Sequence, residues 1–152
     1  EVLAFIERMT GNRADAEDIA QDTFATAWQQ AAKWKPGRAR YRTWLFQVAL
    51  NRTRDSWRRQ RPTEELDENL VSLAPTPEQA VATAAQSQRV RAALQALPER
   101  QRGAIILSHY HGLSNIESAA VLKISVEAVE SLLGRARRAL RQALAAEMET
   151  QT

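Results

Sequence analysis

The stretch Leu113–Leu133, LSNIESAAVLKISVEAVESLL, contains the start signals of two successive helices. Ser114 and Glu117 form the S-x-x-E capping box that is typical of a helix start. Ser125 is a favourable N-cap for a second helix, and LKI (122–124) forms a short turn before it. The stretch therefore predicts a helix-turn-helix, whose second helix enters the major groove of DNA with its first residues near the bases.

The residues around this stretch fit the same unit. Five apolar positions would pack it together: Leu113, Leu122, Ile124, Val129 and Leu133. Ala119 lies in the middle of the first helix, where a small side chain permits close helix crossing. Upstream, the sequence predicts a helix that restarts at Pro98 and ends at Gly112. Another kind of tight helical hairpin can imitate this pattern, so a purely protein-binding module remains a second interpretation.

A further stretch, YRTWLFQVALNRTRDSWRRQR (41–61), mixes aromatic side chains with six arginines and a single acid. At about 100° per residue, one face is predicted to be buried: Trp44, Leu45, Val48 and Ala49. A second face carries amides and guanidinium groups, which we call the ladder: Gln47, Asn51, Arg54, Arg58 and Arg61. Three aromatic or apolar residues lie between the buried face and the ladder: Phe46, Leu50 and Trp57. Arginines neutralise phosphates, amides bond base edges and aromatics stack on unpaired bases. Core tryptophans with solubilising arginines are the alternative, although the whole ladder favours nucleic acid.

Residues 13–34, RADAEDIAQDTFATAWQQAAKW, predict a helix with acids in its first turn, where the helix dipole favours them. One face is predicted to form the core: Ala20, Phe24, Ala27, Trp28 and Ala31. A separate acidic edge has the spacing i, i+3 and i+4: Asp18, Gln21 and Asp22. This edge is either plain solvated surface or a docking site for a basic partner helix.

The composition favours an all-α protein, because Gly and Pro number only 5 each in 152 residues. Residues 62–77 contain three prolines, many acids and no sustained helical period, which predicts a flexible acidic linker. Residues 1–61 and 78–152 are then two small helical domains, of which the second contains the helix-turn-helix.

Charge is distributed in blocks. Residues 33–61 carry ten Lys or Arg and one acid, whereas residues 62–88 carry five acids and no base. These blocks indicate two basic surfaces joined by an acidic segment, or ordinary solvated helix faces.

Several classes of function lack the residues that they need. The absence of cysteine excludes disulfides, Cys-ligated zinc and thiol catalysis. His109 and His111 would point to different sides of a helix and no third ligand has sensible spacing, so we predict no metal, no cofactor and no enzyme. No apolar run is long enough to span a membrane, so we expect no direct membrane insertion. With no cysteine in the chain, a cytoplasmic location is the default expectation. The chain starts at Glu1 rather than Met, and its first helix is expected to be incomplete.

Three motifs occur in the order and spacing of a known family: DAEDIAQDTFATAW (15–28), YRTWLFQVALNRTRDSWRR (41–59), and LPERQR with the helix-turn-helix (97–140). They resemble regions 2.2, 2.3–2.4 and 4.1–4.2 of the extracytoplasmic-function sigma factors, which belong to the sigma-70 family of bacterial RNA polymerase. The resemblance covers nearly the whole chain. It implies a polymerase subunit that directs promoter-specific transcription initiation.

The resemblance also assigns roles to individual positions. It implies that the acidic edge docks on the clamp helices of the polymerase β′ subunit through Asp18, Gln21 and Asp22. It implies that one set of residues melts the −10 element and holds a flipped base: Trp34, Lys35, Arg38, Arg40, Gln47, Asn51, Arg54 and Arg58. It implies that another set binds the −35 element as duplex: Ser125, Val126, Glu127, Glu130, Ser131, Arg135 and Arg138.

The implied partners are core polymerase with its β′ and β subunits, promoter DNA and an anti-sigma factor, without any small-molecule substrate. In the family an anti-sigma factor covers both domains, and a membrane-anchored one would hold the chain at the inner membrane.

The sequence departs from the family pattern at Lys123, where many members have Gly, and at Glu130 and Leu132, where many have Lys or Arg. A carboxylate near phosphates is repulsive, but Glu accepts a hydrogen bond from cytosine N4. We therefore hypothesise that Glu130 reads a cytosine. A conventional helix-turn-helix regulator is the alternative function. It would bind duplex DNA without polymerase and usually dimerise, but it gives no reason for the ladder or the acidic edge.

Overall fold

The computed structural model describes residues 1–33, 40–60 and 78–150, and every regular element in these ranges is helical. The N-terminal unit consists of α1 (Val2–Thr10), α2 (Arg13–Gln30) with a following 3-10 turn (Ala31–Lys33), and α3 (Tyr41–Gln60). The C-terminal unit consists of α4 (Glu78–Ala96), α5 (Glu99–Ile105) with a following π-helical turn (Ile106–Tyr110), α6 (Asn115–Leu122) and α7 (Val126–Thr150). The predicted all-α class with two helical units is confirmed, and helix resumes at Glu78 as predicted. The predicted linker, residues 62–77, lies outside the described residues.

A sharp corner joins α1 to α2. Gly11 has a φ of 70°, a left-handed conformation that glycine adopts without strain, and its N–H donates to the Glu7 carbonyl at 2.8 Å. Asn12 then caps α2, because its side-chain oxygen accepts the Asp15 N–H at 3.1 Å. The corner folds α1 back against α2, and three α1 side chains become fully buried: Phe5, Ile6 and Met9.

The buried face of α2 differs from the predicted one. Ala20 and Ala27 are buried as predicted, but Ala31 is exposed, Phe24 is 54% exposed and Trp28 is 85% exposed. The observed buried face consists of small or medium side chains: Ala16, Ile19, Ala20, Thr23 and Ala27. The prediction was wrong because it assigned the large aromatic side chains to the core. A face of small side chains instead lets α2 approach its neighbours α1 and α3 closely.

α3 is buried on two sides rather than one. Of the four residues predicted to form its buried stripe, two are buried and two, Trp44 and Leu45, are only half-buried. Phe46 and Leu50 were predicted to lie beside the stripe, yet they are 1% and 0% exposed. The prediction assumed a single partner surface. The observed α3 packs against α1 and α2 and also against α6 of the C-terminal unit.

The two units meet in one continuous buried core. The ring of Phe46 lies 5.3 Å from that of Phe5, edge to face, and 4.9 Å from that of His111. Across the same junction, the Arg102 guanidinium donates to the Met9 carbonyl at 2.7 Å. We call this junction the seam: it joins Phe5, Met9 and Phe46 of the N-terminal unit to Arg102 and His111 of the C-terminal unit.

The predicted helix-turn-helix is present as α6 and α7. The capping box is complete, since Ser114 Oγ accepts the Glu117 N–H at 3.1 Å and Glu117 Oε1 accepts the Ser114 N–H at 3.2 Å. Ser125 Oγ accepts the Ala128 N–H at 3.1 Å and so caps α7. The apolar positions predicted to pack the unit all belong to the core or pack against it: Leu113, Leu122, Ile124, Val129 and Leu133.

The turn between α6 and α7 contains a strained residue. Lys123 has a φ of 57° and a ψ of 47°, and it is the only non-glycine residue with positive φ in the described ranges. Because a side chain in this conformation costs about 1–2 kcal/mol, and glycine loses about 0.5–1 kcal/mol more backbone entropy on folding, Lys123→Gly should stabilise the chain by about 0.5 kcal/mol. Urea denaturation measures this difference. Lys123→Ala is the matched control, because it removes the same side chain and retains the strain. A glycine variant less stable than the alanine variant would contradict the prediction.

Candidate nucleic-acid and partner-binding surfaces

The acidic edge lies on the exposed side of α2. Asp18, Gln21 and Asp22 are all exposed, and their spacing holds them on one helix face. None of these three side chains has a hydrogen-bonding or ionic partner among the residues that the structure describes. Because the opposite face of α2 is packed against α1 and α3, the edge is held in place by a folded unit. It can therefore accept cations or amide donors from a partner without rearrangement.

An exposed aromatic pair beside this edge was missed by the sequence analysis. Phe24 and Trp28 are one helical turn apart, and they are two of the most exposed large apolar side chains in the described part of the chain. Trp28 follows Gln21 by seven residues, which places the two on one face of α2. The signal that could have found the pair is the set of small residues on the other side of α2, because such residues mark a closely packed face.

The ladder on α3 is partly engaged by the C-terminal unit. Gln47 Nε2 donates to the Ala120 carbonyl of α6 at 2.8 Å. Arg54 Nε donates to Glu99 Oε1 of α5 at 2.6 Å, and the two side chains are only 24% and 35% exposed. Two ladder residues that the sequence predicts to bind nucleic acid therefore contact the protein itself in this arrangement.

The other described ladder residues face solvent. Asn51 is exposed, and Arg58 Nη1 pairs with Asp55 Oδ1 of its own helix at 3.2 Å while remaining 71% exposed. Arg40, just before α3, is also exposed. Four predicted members of the basic loop and ladder lie outside the described residues: Trp34, Lys35, Arg38 and Arg61. The structure thus brings Gln47, Asn51, Arg54 and Arg58 together on α3.

A carboxylate connects α3 to the helix-turn-helix. Thr43 Oγ1 donates to Glu117 Oε2 at 3.4 Å. The Ser114 N–H is the main group that lowers the pKa of Glu117, the Ser114 hydroxyl and Arg40 act in the same direction, and burial opposes them. Glu117 is therefore held as an anion at the point where α6 starts next to α3.

The start of α7 presents a mixed surface. Six of the predicted −35 residues are exposed: Ser125, Glu127, Glu130, Ser131, Arg135 and Arg138. Val126 is only partly exposed and packs against the core, so its side chain is less available than predicted. The contacts of α3 with the helix-turn-helix run through α6, so the outer face of α7 remains open. Carboxylates near the helix start and guanidinium groups one to two turns later lie on this face.

Two other kinds of feature are absent from the described ranges. No group of three or more His, Asp or Glu side chains there is arranged to hold a metal ion. Among the same residues, none of the helices combines the length and the apolar character needed to cross a bilayer.

Both halves of the chain match family models. Residues 1–63 match the model described as Sigma-70 region 2, and residues 87–140 match the model described as Sigma-70, region 4. The chain is 40% identical over 146 residues to the RNA polymerase sigma factor CnrH of Cupriavidus metallidurans, and the alignment covers 89% of this chain and 76% of that protein. It is 33% identical over 149 residues to the ECF RNA polymerase sigma factor SigW of Bacillus subtilis, and this alignment covers 90% of this chain and 79% of that protein.

Two solved structures share the fold. The sigma factor RpoE of Bartonella quintana, in complex with the anti-sigma factor NepR, superposes with a TM-score of 0.78 at 29% identity, over 95% of this chain and 89% of that one. CnrH in complex with the cytosolic domain of CnrY superposes with a TM-score of 0.72 at 34% identity, over 95% of this chain and 81% of that one.

Proposed function

The chain belongs to the extracytoplasmic-function group of the sigma-70 family of RNA polymerase sigma factors, and we propose that it docks on bacterial core polymerase through the acidic edge and recognises promoters with both units. Members of this family are transcription initiation factors rather than enzymes. The main support for this proposal is that an unpartnered acidic edge, a basic ladder and a helix-turn-helix occur in one chain. A conventional regulator needs only the last of these.

The proposed division of labour follows the two units. Residues 1–61 are region 2, with Asp18, Gln21 and Asp22 on the β′ clamp helices. The −10 element is bound by Trp34, Lys35, Arg38, Arg40, Gln47, Asn51, Arg54 and Arg58. Residues 78–152 are region 4, and the −35 duplex is bound by Ser125, Val126, Glu127, Glu130, Ser131, Arg135 and Arg138. Residues 62–77 form the linker. Exposed carboxylate, amide and guanidinium groups support these assignments at the described positions other than Gln47, Arg54 and Val126, which are partly buried.

The proposed regulator is an anti-sigma factor. One similar solved structure is a complex of a sigma factor with the anti-sigma factor NepR, and another contains CnrH with the cytosolic domain of CnrY. We expect the same arrangement here: a cytoplasmic sigma factor that an anti-sigma factor, anchored in the inner membrane, withholds from polymerase.

Transcription in vitro from a promoter library tests the proposed function, with core polymerase alone and with the chain added. Start sites should appear only with the chain, and the sequences they share upstream would define the −10 and −35 elements.

Asp18→Lys should weaken polymerase binding at least about tenfold, because it places a cation in a complementary interface. Glu17→Lys is the matched control, with the same charge change on the neighbouring exposed residue.

Absence of initiation, together with tight and salt-sensitive duplex binding by the chain alone, would mean that the chain is a conventional regulator.

The same promoter library, transcribed with the Glu130→Ala variant, tests the hypothesis that Glu130 reads a cytosine. The hypothesis fails if the −35 base preference is unchanged.

A further inference from the structure

We propose that Gly134 leaves a notch in the outer face of α7, and that the sugar–phosphate backbone of the −35 duplex fits into this notch. The missing side chain brings the helix closer to the duplex than any other residue at this position would allow. This inference rests on the proposed function, because the placement of α7 against the −35 element comes from there. It gives a role to a residue that has no side chain with which to contact DNA.

The other three glycines in the described ranges are each required by the fold. Gly11 and Gly112 have φ values of 70° and 66°, which a residue with a side chain adopts only with strain. Gly103 is buried, and a Cβ there would lie 3.2 Å from the Leu122 side chain. Gly134 has no positive φ, and a Cβ added to it would meet nothing within 4 Å in the described part of the chain. Its presence therefore has no explanation in the packing of the protein.

Gly134 also weakens the helix that contains it. It lies in the interior of α7 (Val126–Thr150), roughly two turns after the helix starts. Glycine is the least favourable residue after proline at such a position, because it loses the most backbone entropy on folding. A residue that lowers stability and fills no packing role is expected to serve contacts outside the protein.

The position of Gly134 on the helix indicates what those contacts are. At about 100° per residue, it lies near the centre of the outer face of α7. Four exposed residues around it on this face belong to the proposed −35 surface: Glu127, Glu130, Ser131 and Arg138. The α7 residues that join the core lie on the opposite face: Val129, Leu133 and Ala136. Gly134 is thus surrounded by the side chains that we expect to contact DNA.

The distance along α7 indicates which part of the duplex lies nearest. The first residues of a recognition helix lie near the base edges. Gly134 follows Val126 by roughly 12 Å along the helix axis, a distance similar to the width of the major groove, about 12 Å. The DNA strand at the edge of the groove is therefore expected opposite Gly134. Arg135 and Arg138 are exposed beside it, and their guanidinium groups can pair with the phosphates of that strand.

Two substitutions test the notch, because stability and DNA binding should change in opposite directions. Alanine and leucine are better helix formers than glycine, and the structure has room for their Cβ. Gly134→Ala and Gly134→Leu should each lower the equilibrium constant of unfolding about fourfold to fivefold, measured by urea denaturation. A loss of stability in Gly134→Ala would overturn the inference, because the fold itself would then require the glycine.

DNA binding is measured with each variant bound to core polymerase, on the strongest promoter that the library yields. Gly134→Ala should lower the affinity about fivefold and Gly134→Leu at least about tenfold, because each adds bulk at a close contact. The dependence of log affinity on log salt concentration should become shallower by about 1 for each phosphate contact that is lost.

Ala145→Leu is the matched control for added bulk. Ala145 is exposed on the same side of α7, about 17 Å farther along the helix and beyond the proposed contact with the duplex. The leucine there should change the promoter affinity by less than about twofold. A loss equal to that of Gly134→Leu would overturn the notch, because bulk anywhere along this side of α7 would then have the same effect.

The outcomes separate this inference from the proposed function. Unchanged affinity in both Gly134 variants would overturn the notch, while promoter-specific transcription by the wild-type chain would stand. Lower affinity with an unchanged salt dependence and an altered −35 base preference would overturn the contact with the DNA backbone, because the notch would then face the bases. If the wild-type chain initiates no transcription, the proposed function fails. The variants are then compared for binding of the chain alone to a mixed-sequence duplex, where unchanged affinity would again overturn the notch.

Discussion

Arg102→Ala is expected to lower the free energy of unfolding by about 3 kcal/mol, a large loss for a single substitution. The guanidinium of Arg102 joins three helices through four backbone carbonyls. Its Nε donates to the Leu94 carbonyl at 2.9 Å, and its Nη2 donates to the carbonyls of Gln95 at 2.9 Å and Leu97 at 3.0 Å. Its Nη1 donates to the Met9 carbonyl at 2.7 Å.

The physical reason is the position of these carbonyls. Helix α4 ends at Ala96 and α1 at Thr10, so the acceptors lie at or just beyond two helix C-termini, where carbonyls carry partial negative charge. A charge-assisted hydrogen bond contributes about 1.5–3 kcal/mol, and its loss leaves acceptors that water reaches poorly. Burial lowers the pKa of Arg102, but a guanidinium remains protonated in proteins. The arginine is thus a positive cap shared by both units.

Urea denaturation followed by circular dichroism measures the loss. Arg102→Lys should recover only part of it, because an ammonium group lacks the planar fork that reaches several carbonyls at once. Arg100→Ala is the control on the same helix, since Arg100 is exposed and should change stability by less than about 0.5 kcal/mol. A loss below about 1 kcal/mol for Arg102→Ala would mean that water replaces the guanidinium at these carbonyls.

The parts of the fold that sequence predicts well are those fixed by local chemistry. Ser114, Glu117 and Ser125 predict two helix starts because a cap bonds a backbone N–H only two or three residues away. Gly112, with a φ of 66°, and Pro98 mark helix ends for equally local reasons. The helix-turn-helix was therefore predicted nearly residue by residue.

The parts that sequence predicts poorly depend on which elements meet. Trp28 was assigned to the core because of its size. The packing of α2 against its neighbours decides which side of the helix is buried, and the side that is buried carries mostly small residues. Glu99 and Arg54 are 45 residues apart, so no local pattern links the ladder to the anion that engages it. The four carbonyls around Arg102 belong to backbone and leave no signal in the sequence at all. Long-range geometry, and not residue type, determines these features.

A fall in pH from about 6.5 to about 4 is expected to remove about 3 kcal/mol of stability through His111 alone. Burial is the main cause that lowers the pKa of His111 from 6.5 to about 4, with Arg8 and Arg42 acting in the same direction and Glu1 opposing them. The imidazole is 7% exposed. Its Nε2 has no hydrogen-bond partner in the described part of the chain.

The sign follows from the direction of the pKa shift. The folded state favours the neutral ring, so the contribution of His111 is fully present above the unfolded pKa of 6.5. It falls by at most about 1.4 kcal/mol per pH unit as the unfolded chain, but not the folded one, takes up a proton. Below about 4 the folded ring is charged as well and no further stability is lost through it. Glu1 and Glu117, whose pKa values are lowered from 4.5, also destabilise the fold on acidification, but mainly below pH 5.

The window between pH 5 and 6.5 therefore isolates the histidine, and urea denaturation across it provides the measurement. His111→Phe should flatten the dependence in this window, because a phenyl ring does not titrate and retains an aromatic side chain beside Phe5 and Phe46. His109→Gln removes the other histidine, so the slope that remains in this variant belongs to His111. An unchanged slope in His111→Phe would contradict the assignment.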